Sequence, residues 1–429
     1  MSAMKVTIDQ LRTAGVREIQ PAGYFDSGER VGSAGGVLSA NDTITQIALG
    51  AGVQAVDYDF CEALPSRIEG MVHVDLDGDC VLDPGEQPLP DVTIQLLDAQ
   101  GNVIGTTTTD ASGMYSFENL APGKYGVREL QPAGYWDGGE SVGTAGGQIT
   151  ANDQITGIAL ISATNGLHYD FCELLPNSLS GMVHVDLDGD CILDENEQPL
   201  AGVTIELLDE AGNVVRSTTT DEHGEYLFDN LPSGKYSIRE VQPAGYLDSG
   251  DSVGSLGGEL AGNDLIKGIV LVSGNNGENY NFCETLPASL SGMVHVDLDG
   301  DCVFDPGEPP LPGVTIQLLD AAGNVVQTTV TDMHGEYRFD NLAPGNYGVR
   351  EIQPGGFLDS GESVGTAGGQ ITGNDLITNI VLGPGVNAEE YNFCEQEAPV
   401  RIELVLPPPA PAAVTVLYPA APAYILPPP

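Results

Sequence analysis

Basic residues are scarce. Fourteen Lys and Arg face 62 Asp and Glu, a formal charge of −48 over 429 residues. Such a chain repels nucleic acid and anionic membrane surfaces and attracts cations, so nucleic acid is excluded as a partner. Trp136 is the single tryptophan. No aromatic platform repeats cleanly, although Tyr135 and Tyr246 stand before the same loop, so sugar stacking has little to rest on. Long apolar stretches of 3.6-residue period are absent, which argues against helices as the main element. The opening "MSAMKVTIDQLRTAGV" has no basic start followed by an apolar core, so no secretory signal is expected in it. The uncharged run from Leu404 to Pro429 holds six prolines between Pro407 and Pro422, which speaks against a membrane span. No nucleophile–base pair stands out, so an enzyme is not expected.

Apolar residues make up 41%, too many for a disordered polyacid, and 56 glycines and 29 prolines punctuate them. That mixture suggests many short strands joined by turns. The strands are repeated. "SGMVHVDLDGDC" occurs at Ser180 and Ser291, and as "EGMVHVDLDGDC" at Glu69, 111 residues apart. "FCE" ends at Glu62, Glu173, Glu284 and Glu395 with the same spacing. Three complete units therefore span 66–174, 177–285 and 288–396. Residues 1–64 hold only the second half of a unit, since "GVREIQPAGYFDSGERVGSAGG" at Gly15 matches "GVRELQPAGYWDGGESVGTAGG" at Gly126. Residues 397–429 form a Pro/Ala-rich tail that reads as an extended spacer. Within a unit, alternating segments such as "SGMVHVD", "GVTIELL" and "SGKYSIRE" give about seven strands, an all-β sandwich.

The combination of "DLDGDCVLDPGEQPLPDVTIQLLD", "TTTDASGMYSFENLAPGKYGVREL" and "QPAGY" resembles the B-type repeats of bacterial surface proteins. It is most similar to the B domain of serine-aspartate repeat proteins, which is related to the collagen-adhesin B-type module. The resemblance covers residues 15–396. It implies tandem immunoglobulin-like sandwiches on the cell surface, calcium-bound and often serving as a stalk.

Counted from Asp75, the acids of "DLDGDCVLDPGE" fall at positions 1, 3, 5, 9 and 12, the ligand spacing of an EF-hand calcium loop. The expected ligands are Asp75, Asp77, Asp79, the Val81 carbonyl, Asp83 and Glu86. The second loop offers Asp186, Asp188, Asp190, Ile192, Asp194 and Glu197. The third offers Asp297, Asp299, Asp301, Val303, Asp305 and Glu308. Calcium is therefore the expected cofactor. The loop departs from the EF-hand pattern in carrying glycine at position 4 and cysteine at position 6, where an unusual backbone angle is needed. Asp137, Glu140 and Asp153, with Asp248, Asp251 and Asp264, also recur in what reads as glycine-rich loops; they offer either a second cation site or plain turn chemistry plus solubility, and the latter is the favoured reading. His73, His184 and His295 read as strand surface.

The seven cysteines alternate in spacing between 19 and 92 residues. Two pairings are arithmetically equal, one bridging neighbouring units and one closing each unit. In a string of sandwiches the chain enters at one pole and leaves at the other. First and last strands then run the same way, and both of their cysteines lie near the exit. That favours Cys80–Cys172, Cys191–Cys283 and Cys302–Cys394, with Cys61 left over, in an oxidising compartment. The collagen-adhesin relatives often weld these strands by a lysine–asparagine isopeptide aided by a glutamate. The matching glutamates are Glu129, Glu240 and Glu351, and Asp170, Asn281 and Asn392 lie in the last strand. "SGMVHVD" contains no lysine, and Lys124 and Lys235 lie elsewhere, so no isopeptide is expected.

The half unit suggests a fragment of a longer surface protein or a mis-started frame. "RIELVL" at Arg401 echoes "RIEGMV" at Arg67, so the C-terminal segment is a candidate missing strand for another copy's half unit, in head-to-tail self-association. The reading is a calcium-stabilised extracellular repeat protein acting as stalk or adhesive scaffold. The alternatives are a module that binds a host or matrix protein or a glycan through the glycine-rich loops, and a fibre subunit.

Overall fold

The computed structural model describes residues 12–399, and among them there is no helix. The half unit forms β1 (Arg12–Arg17), β2 (Phe25–Arg30), β3 (Val37–Ala40), β4 (Thr43–Leu49) and β5 (Asp59–Ala63). The first complete repeat forms β6 (Ser66–Val74), β7 (Thr93–Leu97), β8 (Val103–Thr108), β9 (Met114–Leu120) and β10 (Gly123–Glu129). It continues with β11 (Trp136–Ser141), β12 (Gln148–Ala151), β13 (Gln154–Leu160), β14 (Asn165–Gly166) and β15 (Asp170–Leu174). One sheet runs β12-β13-β10-β7-β8, and the other runs β11-β15-β6, with β9 on the far side of β6. The second and third repeats have the same order. The chain divides into two compact units, one ending at Pro287 and one opening at Ala288.

The two sheets meet through alternate residues, as a half-buried strand pattern requires. In the second repeat Leu179, Val183, Ile205, Leu207, Phe228, Ile238, Ile266 and Phe282 fill the interior. The first and last strands pair in parallel, with His73 opposite Cys172, so they run the same way. A tyrosine fastens the crossing: Tyr115 donates its hydroxyl to Tyr169 O at 2.6 Å, and Tyr226 and Tyr337 repeat the bond. Gly70 sits beneath the same carbonyl. A Cβ there would stand 1.9 Å from Tyr169 O, so the glycine of "SGMVHVD" is required by close approach rather than by flexibility.

Two local expectations are corrected. "WDGGES" is a strand, β11, bonded antiparallel to β15 with a bulge between Asp137 and Gly139. Its pairing with the last strand, not its composition, makes it extended. The histidines are not on the strand surface: His73, His184 and His295 are at most 1% exposed. The chain leaving β6 folds back, Val74 N donating to Gln87 O and Leu89 N to Val72 O, and so covers the face that alternation assigns to solvent. The glycine-rich loop is pinned from within by a tyrosine, although Val142, Thr144 and Gly146 stay exposed. Tyr169 donates to Gly146 O and accepts from Ala145 N, and a Cβ on Gly143 would lie 2.6 Å from the tyrosine ring.

In the half unit, β1-β4-β3 and β2-β5 form two small sheets. Val16 is 38% exposed where its counterpart Val127 is fully buried, because among the described residues no strands equivalent to β6–β9 lie beside it. The segment beginning at Arg401 lies outside the described residues.

Candidate metal centre

The acidic loop sits where β6 leaves its sheet, and its two ends carry the anchoring carboxylates. Asp75 is fully buried. Its Oδ1 accepts from Gly78 N at 2.7 Å and from Asp77 N at 3.2 Å, and its Oδ2 accepts from Cys80 N at 3.0 Å. Glu86 closes the loop from the other end, Oε1 accepting from Leu76 N and Oε2 from Asp83 N. Asp79 Oδ1 accepts from Val81 N at 2.8 Å. These bonds shape the turn and leave carboxylate lone pairs over.

The loop brings Asp75, Asp77 and Glu86 together, and likewise Asp77, Asp79 and Asp83, with one oxygen from each acid of a group within 4.8 Å of the others. Ligands on opposite sides of a calcium ion are about 4.6–5.2 Å apart at calcium–oxygen distances of 2.3–2.6 Å. A donor set made only of oxygens suits a hard cation. The unusual angle at position 6 is present: Cys80, Cys191 and Cys302 all have φ of 56°. The cysteine holds this left-handed conformation while its sulfur bonds the last strand.

Electrostatics follow from the crowding. Asp188 is held above the usual carboxylate range by Asp190 and then by burial, and Asp77 by burial and then by Asp79. For Asp186, burial pushes upward, but the Gly189 N–H and the Ser249 hydroxyl, 2.9 Å from Oδ2, outweigh it and hold the group low. Beneath the loop, burial lowers the pKa of His184 and His295 against the pull of Glu197 and Glu308. His295 Nε2 lies 3.5 Å from Glu308 Oε2. These histidines were not singled out as neighbours of the loop by sequence reasoning. Their position two residues before its first acid is the signal that was available.

Each loop is joined covalently to the last strand. Cys80 bonds Cys172, Cys191 bonds Cys283 and Cys302 bonds Cys394, with Cα atoms 5.5 Å apart in each pair. Asp75 N also donates to Glu173 O at 2.8 Å. Cys61 is free and exposed. In the last strand Asn281 Oδ1 accepts from Met182 N, and Asn392 Oδ1 from Met293 N.

A second set of acids converges at the other side of the last strand. Glu129, Asp153 and Glu173 offer oxygens within 4.8 Å of one another. This corrects the placing of Asp137 and Glu140 in a loop, while Asp153 does lie in a turn. Asp137 and Glu140 lie on β11, and Glu140 accepts the backbone N–H of Asp153. Burial and then Asp137 raise Asp153 to about 6.

A chain of successive β-sandwiches, each complete one with its first strand tied through an acidic loop to its last, is a tandem immunoglobulin-like repeat protein. It belongs to the SdrD B-like domain family, whose model matches residues 66–170, 177–264 and 288–380, and the cell-surface location expected with that family holds. The chain is 30% identical over 342 residues to serine-aspartate repeat-containing protein F of Staphylococcus epidermidis, covering 80% of this chain and 20% of that protein. It is 30% identical over 341 residues to serine-aspartate repeat-containing protein D of Staphylococcus aureus strain MW2, covering 80% and 25%. The chain thus spans about a quarter or less of these relatives. Among solved structures, the Bacillus anthracis TIE protein matches at 15% identity and TM-score 0.35, covering 90% of this chain and 68% of that one. BcpA, the major pilin subunit of Bacillus cereus, matches at 11% identity and TM-score 0.31, covering 78% and 100%.

Proposed function

We propose that the chain is a calcium-stabilised extracellular stalk or adhesive scaffold without catalytic activity. The observation that carries this reading is the convergence of Asp75, Asp77 and Glu86 at the exit of the first strand. Neutralising those charges removes a repulsion that the folded loop otherwise holds in place. The ion then joins both ends of the loop, and the adjacent disulfide joins the loop to the last strand. Stiffness within a repeat is what a stalk requires. The linkers support it as well: Leu64 N donates to Ser162 Oγ and Leu175 N to Ser273 Oγ, each at 2.9 Å. The glycine-rich loops give little support to a glycan site, because Tyr169 occupies their interior.

Thermal unfolding of the oxidised protein in millimolar calcium and then in chelator tests the reading. Extracellular calcium modules bind at about 0.1–1 mM, so calcium at tenfold above Kd adds about 1.4 kcal/mol per site. A melting temperature that does not respond to calcium would refute the loop as a stabilising site.

A further inference from the structure

We propose that the second and third repeats each hold a transition-metal ion of the zinc class between the buried histidine of the first strand and the glutamate that closes the acidic loop. The pairs are His184 with Glu197 and His295 with Glu308. The glutamates are shared with the calcium reading, so the two ions exclude one another. The nitrogen ligand is what calcium does not use.

His184 and His295 are fully buried, and neither ring nitrogen of either has a hydrogen-bond partner. A buried polar atom left without a partner is costly, and a neutral imidazole carries both an N–H and a lone pair. His295 Nε2 stands 3.5 Å from Glu308 Oε2, and His184 Nε2 stands 3.9 Å from Glu197 Oε2. Those separations are too long for a good hydrogen bond. Zinc bonds nitrogen at about 2.0–2.1 Å and carboxylate oxygen at about 2.0–2.2 Å, so neighbouring ligands on a tetrahedral ion stand about 3.3–3.5 Å apart. The third repeat meets that spacing, and the second comes within a few tenths of an ångström of it. The charged groups acting on His295 are Glu308, Asp297 and Asp301, and those acting on His184 are Glu197, Asp186 and Asp190, all acids. Carboxylates are therefore at hand to complete a mixed nitrogen and oxygen set. Imidazole suits zinc, copper, iron and nickel, whereas calcium and magnesium take oxygen ligands. The nearby cysteines do not compete as ligands, because Cys191 and Cys302 are in disulfides. Phe304 meets the His295 ring edge to face with centroids 5.4 Å apart, and His295 pairs with Pro310 of the returning segment, which fixes the imidazole beneath the loop. In the first repeat Glu86 is half-buried where Glu197 and Glu308 are buried, and the site is assigned to the second and third repeats only.

Cobalt(II) is the probe, because its visible absorption reports its own coordination. The full oxidised chain, stripped of metal and carrying C61S so that no free thiol binds, should develop a band that saturates at two ions and is displaced by zinc. Losing an outer-shell partner costs about 10–100-fold in metal affinity, so H184F/H295F, which removes the ligand itself, should weaken cobalt about 100-fold or more. The same variant should keep the calcium response of its melting temperature, so failure of this site and failure of the calcium reading are told apart. E197Q/E308Q should weaken both ions. X-ray absorption of the zinc-loaded C61S chain gives an arm that needs no substitution at the site, and it should show imidazole scattering. Where H184F/H295F does not fold, H184Q/H295Q takes its place. Cobalt binding that is absent, or equally tight without the two histidines, or zinc without imidazole scattering, would overturn the site.

Discussion

Removing the disulfide of the first repeat has a magnitude that the structure sets. Cys80 and Cys172 are 92 residues apart in sequence. Freeing a loop of that length in the unfolded chain costs about 4.6 kcal/mol of stability at 25 °C by loop-closure entropy. The replacement at Cys80 then matters, because its φ is 56°. Alanine keeps the left-handed strain and glycine removes about 1 kcal/mol of it. Cys172 is 1% exposed, so alanine there also loses packing of about 1 kcal/mol. C80G/C172A should therefore lose about 4–5 kcal/mol, and C80A/C172A about 1 kcal/mol more. Trp136 lies opposite Leu174 of the last strand, and as the single tryptophan it reports this repeat alone within the full chain. Urea unfolding followed by its fluorescence, in chelator and with exposed Cys61 replaced by serine, measures the loss. A loss below about 1 kcal/mol would mean that strand pairing, not the bridge, holds the ends together. Equal stability of the two variants would refute the role given to position 6.

Other consequences can be checked on the same protein. Gly181→Ala would place a Cβ 1.8 Å from Tyr280 O and 2.8 Å from the Tyr226 hydroxyl, so a loss of about 3 kcal/mol or more is expected by calorimetry, with Ser180→Ala as a mild control. Burial holds the Tyr115, Tyr226 and Tyr337 hydroxyls protonated well above 10. The unfolded chain releases those protons first, so stability should fall as pH rises beyond about 10, and Tyr226→Phe should flatten the fall in circular-dichroism titrations. On the acid side, Asp221 is held low by the N–H groups of Glu225 and His223. Its contribution is present above the unfolded pKa and lost as pH falls below about 4, and Asp221→Ala should reduce the acid dependence of melting. Intact mass of the reduced chain should equal the sequence mass. A deficit of about 17 or 18 Da per repeat would reveal an isopeptide.

Most of the architecture was legible because it depends on local pattern and on repetition. A period of two in "SGMVHVD" marks a strand whatever packs on it, and three copies of each acid at fixed spacing separate a loop from chance. What stayed hidden depends on contacts distant in sequence. "WDGGES" has no apolar alternation, and only β15 at its side makes it a strand. That change turns Asp137 and Glu140 from loop residues into neighbours of a buried glutamate pair. His73 follows the alternating pattern outward, and the returning segment at Gln87–Leu89 covers it. Periodicity assigns a side chain to a face. It does not say whether a later part of the chain will close over that face.

The parallel pairing of β6 and β15 has a mechanical consequence. Tension entering at Ser66 and leaving at Leu174 loads their hydrogen bonds lengthwise, so the bonds resist together rather than opening one after another. If that pairing yields, the disulfide takes the load. It shields the 92-residue span from Cys80 to Cys172, and of each 111-residue period only 111 minus 92, or 19 residues, can extend. At about 3.4 Å per residue the extensible chain measures about 65 Å in the oxidised repeat and about 380 Å in the reduced one, and the step on unfolding is that length less the span the folded repeat already covers. Pulling single molecules of the full chain before and after reduction should show that change in step length, repeated for the three bridged units. Long steps in the oxidised protein would place the bridges between repeats instead of within them. Absence of any change on reduction would mean that the force path avoids the paired strands. Short steps confined to the oxidised form would identify each repeat as a spring with a fixed limit, which is the property a surface stalk needs under shear.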